Sequence, residues 1–187
     1  MPRAASTRRS RASPPPSRTL FVTVGTTNFP SLVAAASAPA FLAAALRHGF
    51  SDVLIQHGTG PPPTPAPAPA PASPCARLSA YALKPDISAD LRAAALCVSH
   101  AGAGSVFEAL RARVPLLVAC NPALADNHQA ELAAAMGAGG HCAVARAPLT
   151  AASLGEDVGA AAARAFEPLP PATPELFVAA TEAACGW

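Results

Sequence analysis

The chain has 187 residues, of which 51% are apolar, 5% aromatic and 13% charged. This length favours one domain with a core of its own. The sequence contains no uninterrupted apolar run of about 18 residues, so no membrane-spanning helix is predicted. Five of the 13 basic residues are arginines before residue 19. Without them the chain has 8 basic and 11 acidic residues, so the net charge of +2 arises from this first segment. We therefore expect no basic surface for nucleic acid.

The first 18 residues differ in composition from the rest of the chain. Residues 1–18 are rich in Arg, Ser and Pro, contain no acidic residue and lack hydrophobic periodicity. A disordered basic tail is the favoured interpretation. An organelle transit peptide is the alternative, because such peptides share this composition. The folded domain is expected to occupy residues 19–187.

Strand and helix patterns alternate after this tail. Apolar runs predict strands at 19–24, 52–56, 78–83, 94–98, 115–120 and 141–145. Helices are expected at 29–47 with a break at Pro39, at 85–93, from Ser105, from Asp126 to the glycines at 137–140, within 150–166, and at 174–184. The Pro-Ala repeat at 60–76 is interpreted as a solvated surface insertion. The alternation predicts an α/β fold, a doubly wound parallel sheet covered on both faces.

The cysteines are odd in number and widely spaced, at positions 75, 97, 120, 142 and 185. They form no C-x-x-C pair and no His/Cys cluster with the spacing of zinc ligands. Cys97 and Cys120 fall in predicted buried strands, where a thiol packs as a small apolar side chain. We expect reduced thiols and no bound metal.

Three loops of small and polar residues follow predicted strands, at Gly25 to Asn28, Ser99 to Ser105 and Asn121 to Gln129. In doubly wound sheets, ligands bind outside the carboxyl ends of the strands. Because all three loops lie at such ends, we expect them to converge on one ligand.

The second loop has the features of a phosphate site. Gly102 and Gly104 let a ligand approach the main chain closely. The helix expected from Ser105 directs unpaired N–H groups into the loop, which favours a phosphate or diphosphate there. Ordinary helix capping is the alternative, because Ser105 and Glu108 have the spacing of a capping box.

Other residues favour a nucleotide that carries a sugar. The carboxylate of Glu108, one turn into the helix, suits two ribose hydroxyls. Asp126, Asn127, His128 and Gln129 offer acid, amide and imidazole groups for the hydroxyl and acetamido groups of a sugar. The alternative is an ordinary helix start, with the first two residues as caps and the other two exposed.

Several other enzyme classes are disfavoured. Gly102-x-Gly104-x-x-Phe107 lacks the third glycine of a dinucleotide fingerprint, and no G-x-x-x-x-G-K-[ST] motif occurs. A hydrolase nucleophile requires G-x-S-x-G, whereas Ser105 here directly follows Gly104. Ser99 and His100 are not a catalytic pair, because neighbours at a strand end point in opposite directions.

Four motifs in order carry a family resemblance: Val22-Thr23-Val24-Gly25-Thr26-Thr27, Ser99-His100-Ala101-Gly102-Ala103-Gly104-Ser105, Glu108-Ala109-Leu110 and Asp126-Asn127-His128-Gln129-Ala130-Glu131-Leu132. Together they resemble the catalytic subunit of the eukaryotic UDP-N-acetylglucosamine transferase that makes the second sugar step of asparagine-linked glycosylation. The resemblance covers roughly residues 19–57 and 78–187. It implies a single donor-type half-domain of the Rossmann-like GT-B fold.

The family pattern implies a substrate site drawn from all three loops. Its expected substrate-binding residues are Gly25, Thr26, Thr27, Ser99, His100, Gly102, Ala103, Gly104, Ser105, Glu108, Asn127, His128 and Gln129. Glu108 is implied at the ribose and the last three near the donor sugar. The candidates for the catalytic base are His100 and His128, although a partner protein is an equally open source of the base.

The resemblance also implies a reaction and a partner. N-acetylglucosamine would move from UDP to dolichyl-diphosphate-N-acetylglucosamine with inversion, giving a β1,4 link; UDP-N-acetylglucosamine is a substrate, and no cofactor or metal is implied. A membrane-anchored second subunit would contact the C-terminal helix at 173–185 and recruit this cytoplasmic chain to the cytosolic face of the endoplasmic reticulum. Two alternatives stay open: a non-catalytic nucleotide-sugar-binding or scaffold subunit, and an unrelated small α/β enzyme that uses a different nucleotide.

Overall fold

A six-stranded parallel sheet forms the centre of the molecule. The computed structural model describes residues 18–64, 74–122 and 128–171. The strands are β1 (Thr19–Thr23), β2 (Asp52–Gln56), β3 (Arg77–Tyr81), β4 (Ala94–His100), β5 (Leu116–Ala119) and β6 (Ala143–Val144). They lie in the order β3-β2-β1-β4-β5-β6, and each neighbouring pair runs parallel. The order reverses between β1 and β4, and sheets of this class form a ligand crevice at such a point.

Helices cover both faces of this sheet. They are α1 (Pro30–Ser37), α2 (Pro39–Arg47), α3 (Ser88–Ala93), α4 (Ala103–Arg111), α5 (His128–Ala138) and α6 (Ala151–Ala162). The break between α1 and α2 falls at Ala38, whose ψ of 141° is extended. The ring of Pro39 disfavours helical backbone in the residue before it. Pro39 itself begins α2, at a position where its missing N–H is not needed.

The two faces of the sheet bury separate apolar clusters. On β1, Leu20 and Val22 belong to a cluster with α1, α2 and α6, whereas Phe21 belongs to a cluster with α3 and α4. Alternate strand residues point to opposite faces, so a slip of one residue would exchange the two sets. Burial on both faces therefore fixes the strand register, and with it the residues that reach each end of the sheet.

The predicted α/β fold and its strands are confirmed, with shifts at the ends of elements. β4 continues to His100 because Ser99 and His100 still pair with β5, so the second loop is shorter than expected. β6 spans two residues of the predicted 141–145, since only those two pair with β5. Cys120, expected in a buried strand, lies one residue beyond β5 and is half-buried.

Some predictions fall outside the described residues. These are the tail at 1–17, the central part of the Pro-Ala segment at 65–73, the capping expected of Asp126, and the helix expected at 174–184. Within the described ranges, no single helix has the length and apolarity to cross a bilayer. α1 and α2 meet that test only together, as a pair bent by 62°.

Candidate functional site

One cavity lies at the edge of the sheet where β1, β2 and β4 end. Its volume is about 390 Å³. The residues that line it are Gly25, Thr26, Gln56, Lys84, Pro85, Asp86, Ile87, His100, Gly102, Ala103, Gly104, Ser105 and Glu108. The first and second predicted loops therefore meet in space, as expected of the carboxyl ends of neighbouring parallel strands.

The amino end of α4 borders this cavity without a side-chain cap. The helix begins at Ala103, two residues before the expected Ser105, and Gly102 occupies the cap position with no side-chain hydrogen bond. The alternative of a capping box between Ser105 and Glu108 is not formed, because both residues lie inside the helix. The first N–H groups of α4 and the positive end of its dipole are thus left for an anion.

Two glycines hold the main chain against the ring of His100. A Cβ at Gly102 would lie 2.1 Å from Nε2 of His100, and a Cβ at Gly25 would lie 2.5 Å from its Cε1. Gly25 also has a φ of 62°, in the left-handed region that favours glycine. Both loops therefore approach one imidazole closely because neither has a side chain at the point of contact.

His100 is a buried and incompletely bonded group. Its side chain lines the cavity, yet the residue is only 5% exposed, and Nδ1 is a buried atom with no hydrogen-bond partner among the described residues. Burial lowers the pKa of His100 below its ordinary value, so the ring is neutral at pH 7. A buried polar atom without a partner is unfavourable.

Gln56 is a lining residue that sequence reasoning missed. The hydroxyl of Thr23 accepts a hydrogen bond from the N–H of Gly25 at 3.0 Å and donates to Oε1 of Gln56. Since a hydroxyl has one hydrogen to donate, this arrangement fixes the carboxamide oxygen and leaves the NH₂ group for the cavity. In the sequence, Gln56 is marked only by being a polar residue at the end of an apolar strand.

The segment between β3 and α3 forms a wall of the cavity that was also missed. It contributes Lys84, Pro85, Asp86 and Ile87. Hydrogen bonds from Ser88 lower the pKa of Asp86, so this carboxylate is ionised at neutral pH. Lys84 is the one lysine in the sequence, but this count alone does not place it at the cavity.

The carboxylate of Glu108 stands on an exposed part of α4 beside the same cavity. A carboxylate there suits hydroxyl groups of a ligand whose anionic part lies at the helix end. Among the described residues, no group of three His, Cys, Asp or Glu side chains is arranged to hold a metal ion.

Two site residues predicted in the first and second loops, Thr27 and Ser99, lie outside the cavity lining. The hydroxyl of Thr27 donates to the main-chain oxygen of Val24 at 2.9 Å. Ser99 is fully buried and donates to the main-chain oxygen of His100 at 2.8 Å. Both side chains therefore stabilise the main chain locally. The alternation along β4 turns Ser99 away from the side on which His100 meets the cavity.

The third predicted loop is described only in part. Asn127 and the side chain of His128 lie outside the description. Gln129, in the first turn of α5, does not line the cavity, and its buried Oε1 has no partner among the described residues. Asn121 donates to the main-chain oxygen of Asn28 at 3.5 Å. This contact brings the start of the third loop to the end of the first.

Comparison with known proteins gives a family match and several relatives. The model of the glycosyltransferase family 28 C-terminal domain matches residues 19–168. The human UDP-N-acetylglucosamine transferase subunit ALG13 is 38% identical over 122 residues, 65% of this chain and 10% of the relative. The mouse protein of the same name is 36% identical over 162 residues, 84% of this chain and 13% of the relative. The chain thus spans a small fraction of the length of these relatives.

Solved structures share the fold. An NMR solution structure of ALG13 aligns with a TM-score of 0.63 at 23% identity, covering 87% of this chain and 94% of the other. A crystal structure of the glycotransferase of kitacinnamycin aligns with a TM-score of 0.56 at 21% identity, covering 88% of this chain and 40% of the other. The expectation of one GT-B half-domain is confirmed, as is the family resemblance drawn from the four motifs.

Proposed function

This chain belongs to the family of glycosyltransferase family 28 C-terminal domains, and from that premise we propose that it binds UDP-N-acetylglucosamine for transfer of the sugar. One observation carries the proposal: the uncapped amino end of α4, the buried ring of His100 and the carboxylate of Glu108 border a single cavity. An anion binder, a buried polar group and an acceptor for hydroxyls are what a nucleotide with a sugar requires.

In the proposed complex, the diphosphate lies at residues 102–105, with Gly25 and Thr26 on the facing wall. Main-chain N–H groups suit this role because they carry no charge that must be desolvated and are held in place by the helix. Glu108 accepts hydrogen bonds from the ribose hydroxyls. The family pattern further assigns Asn127, His128 and Gln129 to the neighbourhood of the sugar.

The transfer itself has an acceptor hydroxyl attack the anomeric carbon while UDP leaves, which inverts the configuration. The proposed acceptor is dolichyl-diphosphate-N-acetylglucosamine and the product link is β1,4. A base must take the proton of the acceptor hydroxyl. His100 is a candidate, because a neutral imidazole is the form able to accept a proton; His128 is the other.

A second, membrane-anchored subunit completes the proposal. Matched relatives are named as subunits of a UDP-N-acetylglucosamine transferase, which supports an activity shared between chains. The second subunit binds the lipid acceptor, contacts the segment at 173–185 and brings this chain to the cytosolic face of the endoplasmic reticulum.

Calorimetric titration of the full chain tests donor binding. We expect UDP and UDP-N-acetylglucosamine to bind and NAD not to bind. Replacing Glu108 by Ala should weaken UDP binding by about tenfold, the worth of a charged hydrogen bond. The matched control is Glu156→Ala on α6, an exposed carboxylate outside the cavity. Equal affinities of the Glu108 variant and the unchanged chain would contradict the assigned site.

Transfer is measured with a radiolabelled donor, acceptor lipid and membranes that contain the second subunit. We expect product only when both proteins are present. If this chain binds donor and the membranes alone transfer sugar at the full rate, the chain is a non-catalytic subunit. If NAD binds and UDP does not, the nucleotide assignment itself is wrong.

A further inference from the structure

We propose that Lys84 is the cation that contacts the phosphates of the bound nucleotide, and that Asp90 with Tyr81 holds its ammonium group beside the cavity until then. The inference rests on the proposed function, since it names a further contact at the same site. Lys84 lies between β3 and α3 and lines the cavity. The sequence contains no other lysine.

The charges around the cavity are the first step of the argument. Among the described residues that line it, Asp86 and Glu108 are carboxylates and Lys84 is the side chain with a full positive charge. Burial keeps the imidazole of His100 neutral by lowering its pKa. Two carboxylates would repel a diphosphate, and the helix end offers only partial charges. A single cation at the rim therefore decides much of the electrostatic balance.

The second step is that Lys84 forms an ion pair with Asp90 at a position that is partly exposed to solvent. Its Nζ lies 2.8 and 3.1 Å from the two carboxylate oxygens of Asp90, and its side chain is 43% exposed. The same Nζ lies 4.0 Å above the centre of the Tyr81 ring. A partly exposed ion pair is weak because water and salt screen it. The ammonium group can therefore turn to a phosphate at small cost.

The third step is that Asp90 keeps a partner when Lys84 turns away. The hydroxyl of Tyr81 donates to Oδ2 of Asp90 at 2.5 Å. Burial, and then this bond to Asp90, raise the pKa of Tyr81, so the phenol stays protonated and remains a donor. The carboxylate is thus not stranded, and the aromatic ring continues to support the flexible lysine stem.

Chemical labelling of the unchanged chain gives a direct test. An acetylating reagent specific for amines has Lys84 and the terminal amine as its targets, and mass spectrometry separates the two. Saturating UDP should slow acetylation of Lys84 and leave the terminal amine unaffected. Uridine, which has no phosphate, should give little protection. Equal labelling of Lys84 with and without saturating UDP would overturn the inference.

Variants supply the second measurement. We expect Lys84→Met to weaken UDP binding by about tenfold at low salt, as for the loss of one charge-assisted hydrogen bond, and to leave uridine binding unchanged. Lys84→Arg keeps the charge and should retain most of the affinity. Arg77→Met is the matched control, because it removes a cation paired with Asp52 at the opposite end of β3.

The outcomes separate the two proposals. If the unchanged chain does not bind UDP, the proposed function falls and this inference falls with it. If the unchanged chain binds UDP and Lys84→Met binds it equally well, the inference alone is wrong. Equal loss of UDP and uridine binding would also overturn it, because that result places the effect away from the phosphates. Thermal unfolding without ligand checks that each variant is folded.

Discussion

Polar residues are buried at the carboxyl end of the sheet and exposed at its amino end. At the carboxyl end, Thr23, Gln56 and His100 are at most 5% exposed, yet each is polar. At the amino end, the ion pair of Arg77 with Asp52 lies at the surface, with the arginine side chain 77% exposed. Both ends belong to the same strands, so strand propensity does not explain the contrast.

The comparison shows that the unfavourable free energy of burying polar groups is concentrated at the carboxyl end of the sheet. Burying a polar group is unfavourable unless its hydrogen bonds are made, and one of these, Nδ1 of His100, has no described partner. The surface pair at the amino end makes no such demand. The carboxyl end of the sheet therefore holds fixed polar groups around a cavity, which supports the proposed binding site, whereas the ion pair at the amino end contacts solvent.

The largest expected effect comes from filling the space beside His100. A Cβ at Gly102 would meet the buried ring at 2.1 Å, so Gly102→Ala should lower the free energy of unfolding by about 1–3 kcal/mol and abolish most UDP binding. Gly104→Ala is the control, because no atom lies within 4 Å of its added Cβ. Urea unfolding and UDP titration of both variants measure the contrast.

For Gly104→Ala we expect unchanged or slightly greater stability, since alanine favours a helix, with weaker UDP binding because the methyl group borders the cavity. Equal stability of the two variants would show that the contact of Gly102 with His100 is not tight.

A smaller effect compares the two ends of the sheet directly. Thr23→Val keeps the shape of the side chain but removes the partner of both the Gly25 N–H and the Gln56 oxygen. We expect it to lower the free energy of unfolding by about 1–2 kcal/mol. Arg77→Met, at the other end, should leave stability nearly unchanged. Chemical denaturation of the two variants under one set of conditions shows whether the substitution at the carboxyl end lowers the free energy of unfolding more than the one at the amino end.

The smallest effect is in the pH dependence of stability. Burial places the pKa of His100 in the folded chain below its ordinary value. The unfolded chain therefore binds the proton more readily, so the penalty is absent above the ordinary value of about 6.5 and grows as the pH falls below it. Replacing His100 by Gln should flatten the decline in unfolding midpoint between neutral and mildly acidic pH. An unchanged slope would mean that His100 does not titrate differently in the two states.

The glycine loops and the helix that follows the second loop were the predictable part of the cavity lining. Gly25, Gly102, Gly104 and Glu108 were identified because each follows a strand that the apolar pattern reveals. Gln56 and Lys84 were missed, since a polar residue at a strand end and a lysine in a loop have no distinctive local pattern. The capping-box alternative did not form for a related reason. Ser105 has the right spacing to Glu108, but the helix starts at Ala103, so both residues lie within α4.

The sequence by itself determined the alternation of strands and helices, because apolar periodicity and proline or glycine breaks are local properties of a chain. It also determined the family, through motifs that stand in a fixed order. Only the tertiary structure decided which wall faces the glycine loops, that Thr23 orients Gln56, and that Lys84 stands at the rim with Asp90. Those relations depend on the order of strands in the sheet, which brings together residues that lie far apart in the chain.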